Sequence, residues 1–241
     1  PKNALPGQTV TITVTPKKGY ELGDLVVRDI HGDKIDLVRV SDSEYTFVMP
    51  ESSVSIDARF LGADETDESL FRDVPASAYY YDAVAWAAEN DITGGVGGGL
   101  FAPDGDCTRA QIVTFLWRAA GRPEPESKAN FVDVPAKAYY AKAVAWALEN
   151  GITKGTSATT FSPDDPCTRA QAVTFLARAL SAKAEGTADF LDVAKTAYYA
   201  KAVAWASENG VTSGVGGKRF APGQTCTRAQ IVTFLYRAYS K

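Results

Sequence analysis

The stretch Cys107-Thr108-Arg109-Ala110-Gln111 occurs three times, returning at residues 167–171 and 226–230, offset by 60 and then 59 positions. Each copy holds the same place in a longer similarity that opens with Phe71-Arg72-Asp73-Val74, Phe131-Val132-Asp133-Val134 and Phe190-Leu191-Asp192-Val193. A fixed period of this length limits the possible folds more than any other feature. A unit of about 50 residues cannot bury its own apolar face, whereas three stacked units can. The expected array fills the last two-thirds of the 241 residues.

Composition closes several alternatives. Apolar residues are 45%, ordinary for a globular protein. The net charge of −4 gives no reason to expect nucleic acid. No run of about 18 apolar residues is present, so no transmembrane segment is expected. The chain opens on Pro1-Lys2 without a signal-peptide pattern, which reads as a piece of a longer protein. Cys107, Cys167 and Cys226 share one position in their repeats, so they have one repeated local job rather than forming a disulfide framework. There is no Cys-x-x-Cys and one histidine, His31, so neither zinc nor any other metal or cofactor is expected.

Residues 1–60 read as a small all-β domain. Residues 9–15 alternate β-branched and polar side chains with period two. Further strands are expected at 25–30, 35–40, 45–49 and 54–60. His31-Gly32-Asp33 forms a hairpin turn, and His31 is its polar tip rather than a catalytic base. The pieces Gly7-Gln8-Thr9-Val10-Thr11, Gly19-Tyr20-Glu21-Leu22, Tyr45-Thr46-Phe47-Val48-Met49-Pro50 and Val54-Ser55-Ile56-Asp57-Ala58-Arg59-Phe60 resemble the internalin-type B-repeat (β-grasp-like) family of bacterial surface proteins. That resemblance implies a spacer. It also implies a strand before Gly7 that is mostly missing, which would leave an edge open to self-association by strand addition. Residues 61–70 read as an acidic linker.

Within repeat one, residues 76–89 are helical by period, with Tyr80, Ala83, Val84, Ala87 and Ala88 on one face. Asn90-Asp91 ends the helix, against Asn150-Gly151 and Asn209-Gly210, where glycine supplies the left-handed cap residue. A loop follows, and Phe101, Phe161 and Phe220 are expected to anchor it. Gly94 to Gly99 mimics a phosphate loop, but the second copy has Gly155-Thr156-Ser157-Ala158-Thr159-Thr160 at the same place, so the glycine run is not required, and no Lys-Ser/Thr follows. Thr108-Arg109-Ala110-Gln111 fits a capping box that starts a helix at Arg109 and runs to about residue 120. Cys107 stands before the cap, where an apolar residue staples to the fourth helical position, here Ile112. A reactive or bridging thiol is the alternative. Arg118, Arg178 and Arg237 suit the negative end of a helix and need no function.

The ordered set Phe-x-Asp-Val, Tyr-Tyr-x-x-Ala-Val-Ala-Trp-Ala, Glu-Asn-Gly-Ile-Thr-x-Gly, Phe-x-Pro and Thr-Arg-Ala-Gln resembles the S-layer homology (SLH) family. Cys before Thr-Arg-Ala-Gln departs from its usual aliphatic residue. The resemblance implies an all-α pseudo-trimer after the β domain, with a three-helix central bundle and prongs. The repeats fall at 71–122, 131–181 and 190–241. It also implies a function: non-covalent anchoring of an extracellular surface protein to pyruvylated secondary cell-wall polysaccharide in grooves between repeats.

The residues agree with such a site. An arginine at a helix start combines a guanidinium with unpaired backbone N–H groups and the positive dipole end, which suits a carboxylate. Arg109, Arg169 and Arg228 are expected to face outward for this purpose. Asp73, Asp133 and Asp192 either orient the groove and accept sugar hydroxyls or merely cap helices. Gly95, Gly155 and Gly214 allow close backbone approach. Tyr79, Tyr139 and Tyr198 either stack on sugars or fill the core. A lattice-forming or protein–protein assembly module is the alternative function. An enzyme is not expected, because the carboxylate pair Asp104 and Asp106 is Gly223 and Gln224 around the same point of the third copy.

Overall fold

The computed structural model describes residues 3–17, 20–62 and 70–240. Most of the acidic linker expected at 61–70 lies outside these residues. The chain divides into two compact units: residues 1–77 with 94–101, and residues 78–93 with 102–241.

The described residues of the first unit hold six strands: β1 (Thr9–Thr13), β2 (Tyr20–Asp29), β3 (Lys34–Ile35), β4 (Val38–Arg39), β5 (Glu44–Val48) and β6 (Val54–Gly62). They form two antiparallel sheets, ordered β1-β5-β4 and β3-β2-β6. The strand expected at 35–40 is in fact two short strands. Ile35 pairs with Val27 of one sheet, whereas Val38 pairs with Thr46 of the other. Between them Leu37 turns into the core, so the chain changes sheets without losing burial. That core is thin. Val10, Val27 and Phe47 form its centre, with Ile12, Ile35, Leu37, Met49 and Val54 partly covered around them.

Among the described residues six helices follow: α1 (Tyr81–Glu89), α2 (Arg109–Ala119), α3 (Ala141–Glu149), α4 (Arg169–Ala179), α5 (Ala200–Glu208) and α6 (Arg228–Tyr239). The first helix of each repeat starts later than its periodicity suggests. Ala78, Ala138 and Ala197 carbonyls accept from the N–H three residues on, at 2.9–3.0 Å. These are tight turns rather than α-helical turns, so residues 76–80 form a turn that leads into α1. The left-handed cap is as expected, with φ of 56° at Asp91, 66° at Gly151 and 64° at Gly210.

No repeat packs its two helices mainly on each other. α1 lies against α6, α3 against α2 and α5 against α4, while α4 also touches α2 and α6. The second helices therefore make the central bundle and the first helices are prongs. Each prong leans on the preceding repeat, so a single repeat would leave its apolar faces uncovered. Phe101, Phe161 and Phe220 are fully buried, as expected of anchors.

Candidate functional site

The cysteines sit where the three repeats meet. The Cys107 N–H donates to the Cys226 carbonyl at 2.9 Å, Cys226 to Cys167 at 2.9 Å, and Cys167 to Cys107 at 2.8 Å. Three backbone hydrogen bonds thus close a ring. All three side chains are fully buried free thiols. Burial pushes Cys107 and Cys226 up to about 12, and Cys167 also well above the ordinary thiol value. They are inert small apolar residues, as the staple reading requires, and Ile112, Ala172 and Ile231 are buried too. Among the described residues no cluster of His, Cys, Asp or Glu fits a metal.

Each capping box is complete. Thr108 Oγ1 accepts from the Gln111 N–H at 3.2 Å, and Gln111 Oε1 accepts from the Thr108 N–H at 3.1 Å. The other two copies repeat both bonds. The remaining first-turn groups are taken as well. Arg109 N–H donates to the Asp165 carbonyl and Ala110 N–H to the Pro163 carbonyl, both at 2.9 Å. Arg169 and Ala170 do the same to Gln224 and Pro222, and Arg228 and Ala229 to Gly105 and Pro103. Every second helix is therefore capped by the Phe-x-Pro loop of the next repeat around the ring. No free N–H groups remain at these helix starts to bind a carboxylate, which corrects the expectation drawn from sequence.

The arginines require a second correction. Arg109, Arg169 and Arg228 do not face outward; they are 3%, 3% and 4% exposed. Arg109 Nε donates to the Phe161 carbonyl at 2.9 Å, and its guanidinium lies 4.8 Å from the Phe161 ring centre and 5.4 Å from that of Phe175. Arg169 repeats this with the Phe220 carbonyl and the Phe220 and Phe234 rings. Arg228 lies over Phe115. For Arg109 and Arg169 the cation–π and carbonyl contacts fix the next repeat's loop, a structural duty that Arg at this position was not expected to have. Arg169 Nη2 reaches Thr212 Oγ1 at 3.5 Å, whereas the buried Arg109 Nη2 has no hydrogen-bond partner. Desolvation lowers the pKa values of Arg109 and Arg169 below the ordinary arginine value, and nearby acidic groups counter it.

The aspartates cap no helix. Asp133 accepts from the Phe161 and Ser162 N–H groups at 2.8 and 2.7 Å, and Asp192 from Phe220 and Ala221, both at 2.8 Å. Asp73 accepts from Phe101. Ser162 and Ala221 have φ of 57° and 58°, a left-handed conformation unfavourable for residues with a Cβ. The carboxylate holds that conformation in place. Desolvation pushes Asp133 and Asp192 up, but the backbone N–H donors and nearby arginines outweigh it, and both end below the ordinary carboxylate range.

The glycines also have an internal reason. Gly155 has φ of +81°, and a Cβ there would come within 2.5 Å of the Thr160 carbonyl and 2.7 Å of the Phe131 ring. The close approach is to the repeat's own aromatic anchor. Gly95 and Gly214 are packed the same way against Phe71 and Phe190. Arg118, Arg178 and Arg237 each donate to a carbonyl of their own loop, Ile92, Ile152 and Val211, which adds a bonding role to their place near the helix end.

The tyrosines are not core residues. Tyr79 and Tyr198 are 66% and 65% exposed, each edge-on to the following tyrosine at 5.0 Å, whereas Tyr139 is half-buried. Tyr198 of repeat three lies in the fields of Arg178 of repeat two and Arg109 of repeat one. Tyr79 lies likewise in the fields of Arg169 and Arg237. The fold thus brings the predicted arginine, aspartate and tyrosine together from three different repeats. Sequence reasoning missed the rest of the wall. An open groove of about 530 Å³ between α4 and α5 is lined by Tyr198, Arg178, Lys183, Lys201, Asn150 and Ala177, among others. Only the alignment of the three copies, read at positions outside the motifs, could have pointed to the two lysines.

Comparisons with known proteins agree with this architecture. The S-layer homology domain model matches residues 70–113, 130–173 and 189–232. The divergent InlB B-repeat domain model matches residues 1–64. The surface-layer 125 kDa protein of Lysinibacillus sphaericus is 35% identical over 140 residues, which is 57% of this chain and 12% of that protein. An endoglucanase of Bacillus sp. (strain KSM-635) is 37% identical over 132 residues, 53% of this chain and 14% of the enzyme. The S-layer protein sap of Bacillus anthracis is 26% identical over 170 residues, 68% of this chain and 20% of that protein. The chain thus spans no more than a fifth of the length of these relatives. Among the described residues, no helix is long and apolar enough to cross a membrane. With three matched repeats over more than half its length, the chain belongs to the S-layer homology family of the bacterial cell surface, preceded by a divergent B-repeat domain.

Proposed function

We propose that the three-repeat array anchors its parent protein non-covalently to the cell wall by binding secondary cell-wall polysaccharide, with ketal-linked pyruvate as the recognised acid. The observation that carries this reading is Arg109. It is 97% covered, and its Nη2 has no hydrogen-bond partner within the chain, so an acceptor supplied by a ligand would satisfy a donor that the fold leaves unmet. A carboxylate is the natural match for a guanidinium. Asp133 accepts two backbone N–H groups and keeps lone pairs for a sugar hydroxyl. The exposed ring of Tyr198 offers a face for a pyranose. Arg169, Asp192 and Tyr79 repeat the set, and Arg228 and Tyr139 belong to the third. Gly95, Gly155 and Gly214 take part only by shaping the loop. The array acts as a binder rather than a catalyst, and its partner is a glycan rather than a nucleic acid.

A pull-down on wall sacculi tests this. Binding should persist in the native wall and be lost when the polysaccharide, or its pyruvate, is removed. Binding that survives both treatments would overturn the reading. A second reading, self-association through the β domain, has its own support: β1 is a terminal strand of its sheet, and Val38, Val48 and Ile56 are exposed. Sedimentation of the intact chain across a hundredfold concentration range decides it.

A further inference from the structure

The three grooves share a frame but not a lining. Ala177, on the central helix between repeats two and three, corresponds to Trp117 between one and two and to Tyr236 between three and one. Trp117 is 3% exposed and its Nε1 donates to the Pro123 carbonyl at 2.9 Å, so the indole and the chain at 123–124 occupy the space that Ala177 leaves open. Tyr236 packs against Trp86, with ring centres 5.7 Å apart. The charges differ too. Lys201 corresponds to Lys142 and to Asp82. Lys142 is neutralised by Glu124 at 2.9 Å, and Asp82 carries the wrong sign for an acidic ligand. Lys183 corresponds to Pro123. Among the described residues neither Lys183 nor Lys201 has an ion-pair partner, and both line the groove of about 530 Å³.

Resting on the anchoring reading, we infer that the grooves are functionally unequal, and that the one between repeats two and three, with Lys183, Lys201 and Tyr198 on its wall, is the principal site for the anionic glycan. Two independent observations converge there. One is the open groove with its two unpaired lysines. The other is the buried Arg109 with its unpartnered Nη2, whose charge reaches Tyr198 on that wall. The lysines offer a second cationic contact beyond the buried guanidinium. The groove therefore suits a chain bearing successive anionic groups, such as several pyruvylated units, rather than a single acidic sugar. Strong salt dependence of binding follows, since both ammonium groups meet water. The groove between repeats one and two has its own lysine already paired and its space filled. The groove between repeats three and one presents an acid.

The test is titration calorimetry with a wall oligosaccharide carrying ketal-linked pyruvate on successive repeats, using the intact chain. The Lys183→Glu/Lys201→Glu pair should bind at least about tenfold more weakly than wild type. Lys142→Glu, at the corresponding place in the neighbouring groove, should bind as wild type. Ala177→Trp should block binding, and its unchanged melting would show that the fold accepts there the side chain it already holds at residue 117. If the lysine pair binds as wild type, or Lys142→Glu is weakened as much, the groove assignment is wrong while anchoring stands. If wild type binds neither the oligosaccharide nor intact wall polysaccharide, anchoring itself fails and the assignment fails with it.

Discussion

The axis of the array and its grooves obey different rules. Along the axis the three repeats are nearly interchangeable. The same Cys-Thr-Arg-Ala-Gln stretch makes the same ring of backbone bonds and the same capping boxes in every copy, and Arg109 and Arg169 make the same guanidinium contacts with the next repeat's Phe-x-Pro loop. In the grooves, positions that correspond by sequence hold Trp117, Ala177 and Tyr236, or Asp82, Lys142 and Lys201. Repetition marks what holds the trimer-like frame together. Divergence among the copies marks where the proposed recognition would differ.

That contrast predicts large stability losses at repeated positions and small ones in the grooves. Phe161→Ala should cost the most, about 3–5 kcal/mol, because a fully buried ring is lost. It should also release Arg109 from one of its two aromatic partners. Urea denaturation followed by circular dichroism measures this. Arg169→Ala comes next, at about 1–3 kcal/mol, since it leaves the buried Phe220 carbonyl without its donor. A loss below about 0.5 kcal/mol would mean the guanidinium contributes little to the frame. Thr168→Ala should cost about 1 kcal/mol through its cap alone.

The buried thiols give a pH-dependent version of the same contrast. The folded pKa values of Cys107 and Cys226 are raised to about 12 from the ordinary 9.0. Their contribution is whole below the unfolded value and is lost as pH rises toward the folded value. The urea midpoint should therefore fall between pH 9 and 12, and fall less in a Cys107→Ala/Cys167→Ala/Cys226→Ala variant. An equal fall in both would assign the effect to other groups. Smallest of all, Lys201→Gln should change stability by less than about 0.5 kcal/mol, because among the described residues its ammonium group has no ion-pair partner. It should nonetheless weaken glycan binding.

Much of the frame was legible in the sequence because its determinants are local. The capping box spans four residues, the left-handed cap falls at one fixed place, and the Phe anchors and buried cysteines recur at fixed offsets. The arginines were misread because their partners are remote. Arg109 meets the Phe161 carbonyl 52 residues away in another repeat, and the helix-start N–H groups are satisfied by that same neighbouring loop. Nothing within one repeat reveals either contact. Of the two readings of the aspartates, the helix cap falls for a similar reason, since Asp133 serves residues 28 and 29 positions later. The split of the strand at 35–40 was hidden because both halves alternate correctly, while their pairing partners lie in different sheets.

Inequality among three grooves on one frame has a direct readout in binding stoichiometry. Titration of the intact wild-type chain with the pyruvylated wall oligosaccharide should give one strong site per chain. Three sites of equal affinity would contradict the account, because the filled groove at Trp117 and the acidic groove at Asp82 would then bind as well as the open one at Lys201.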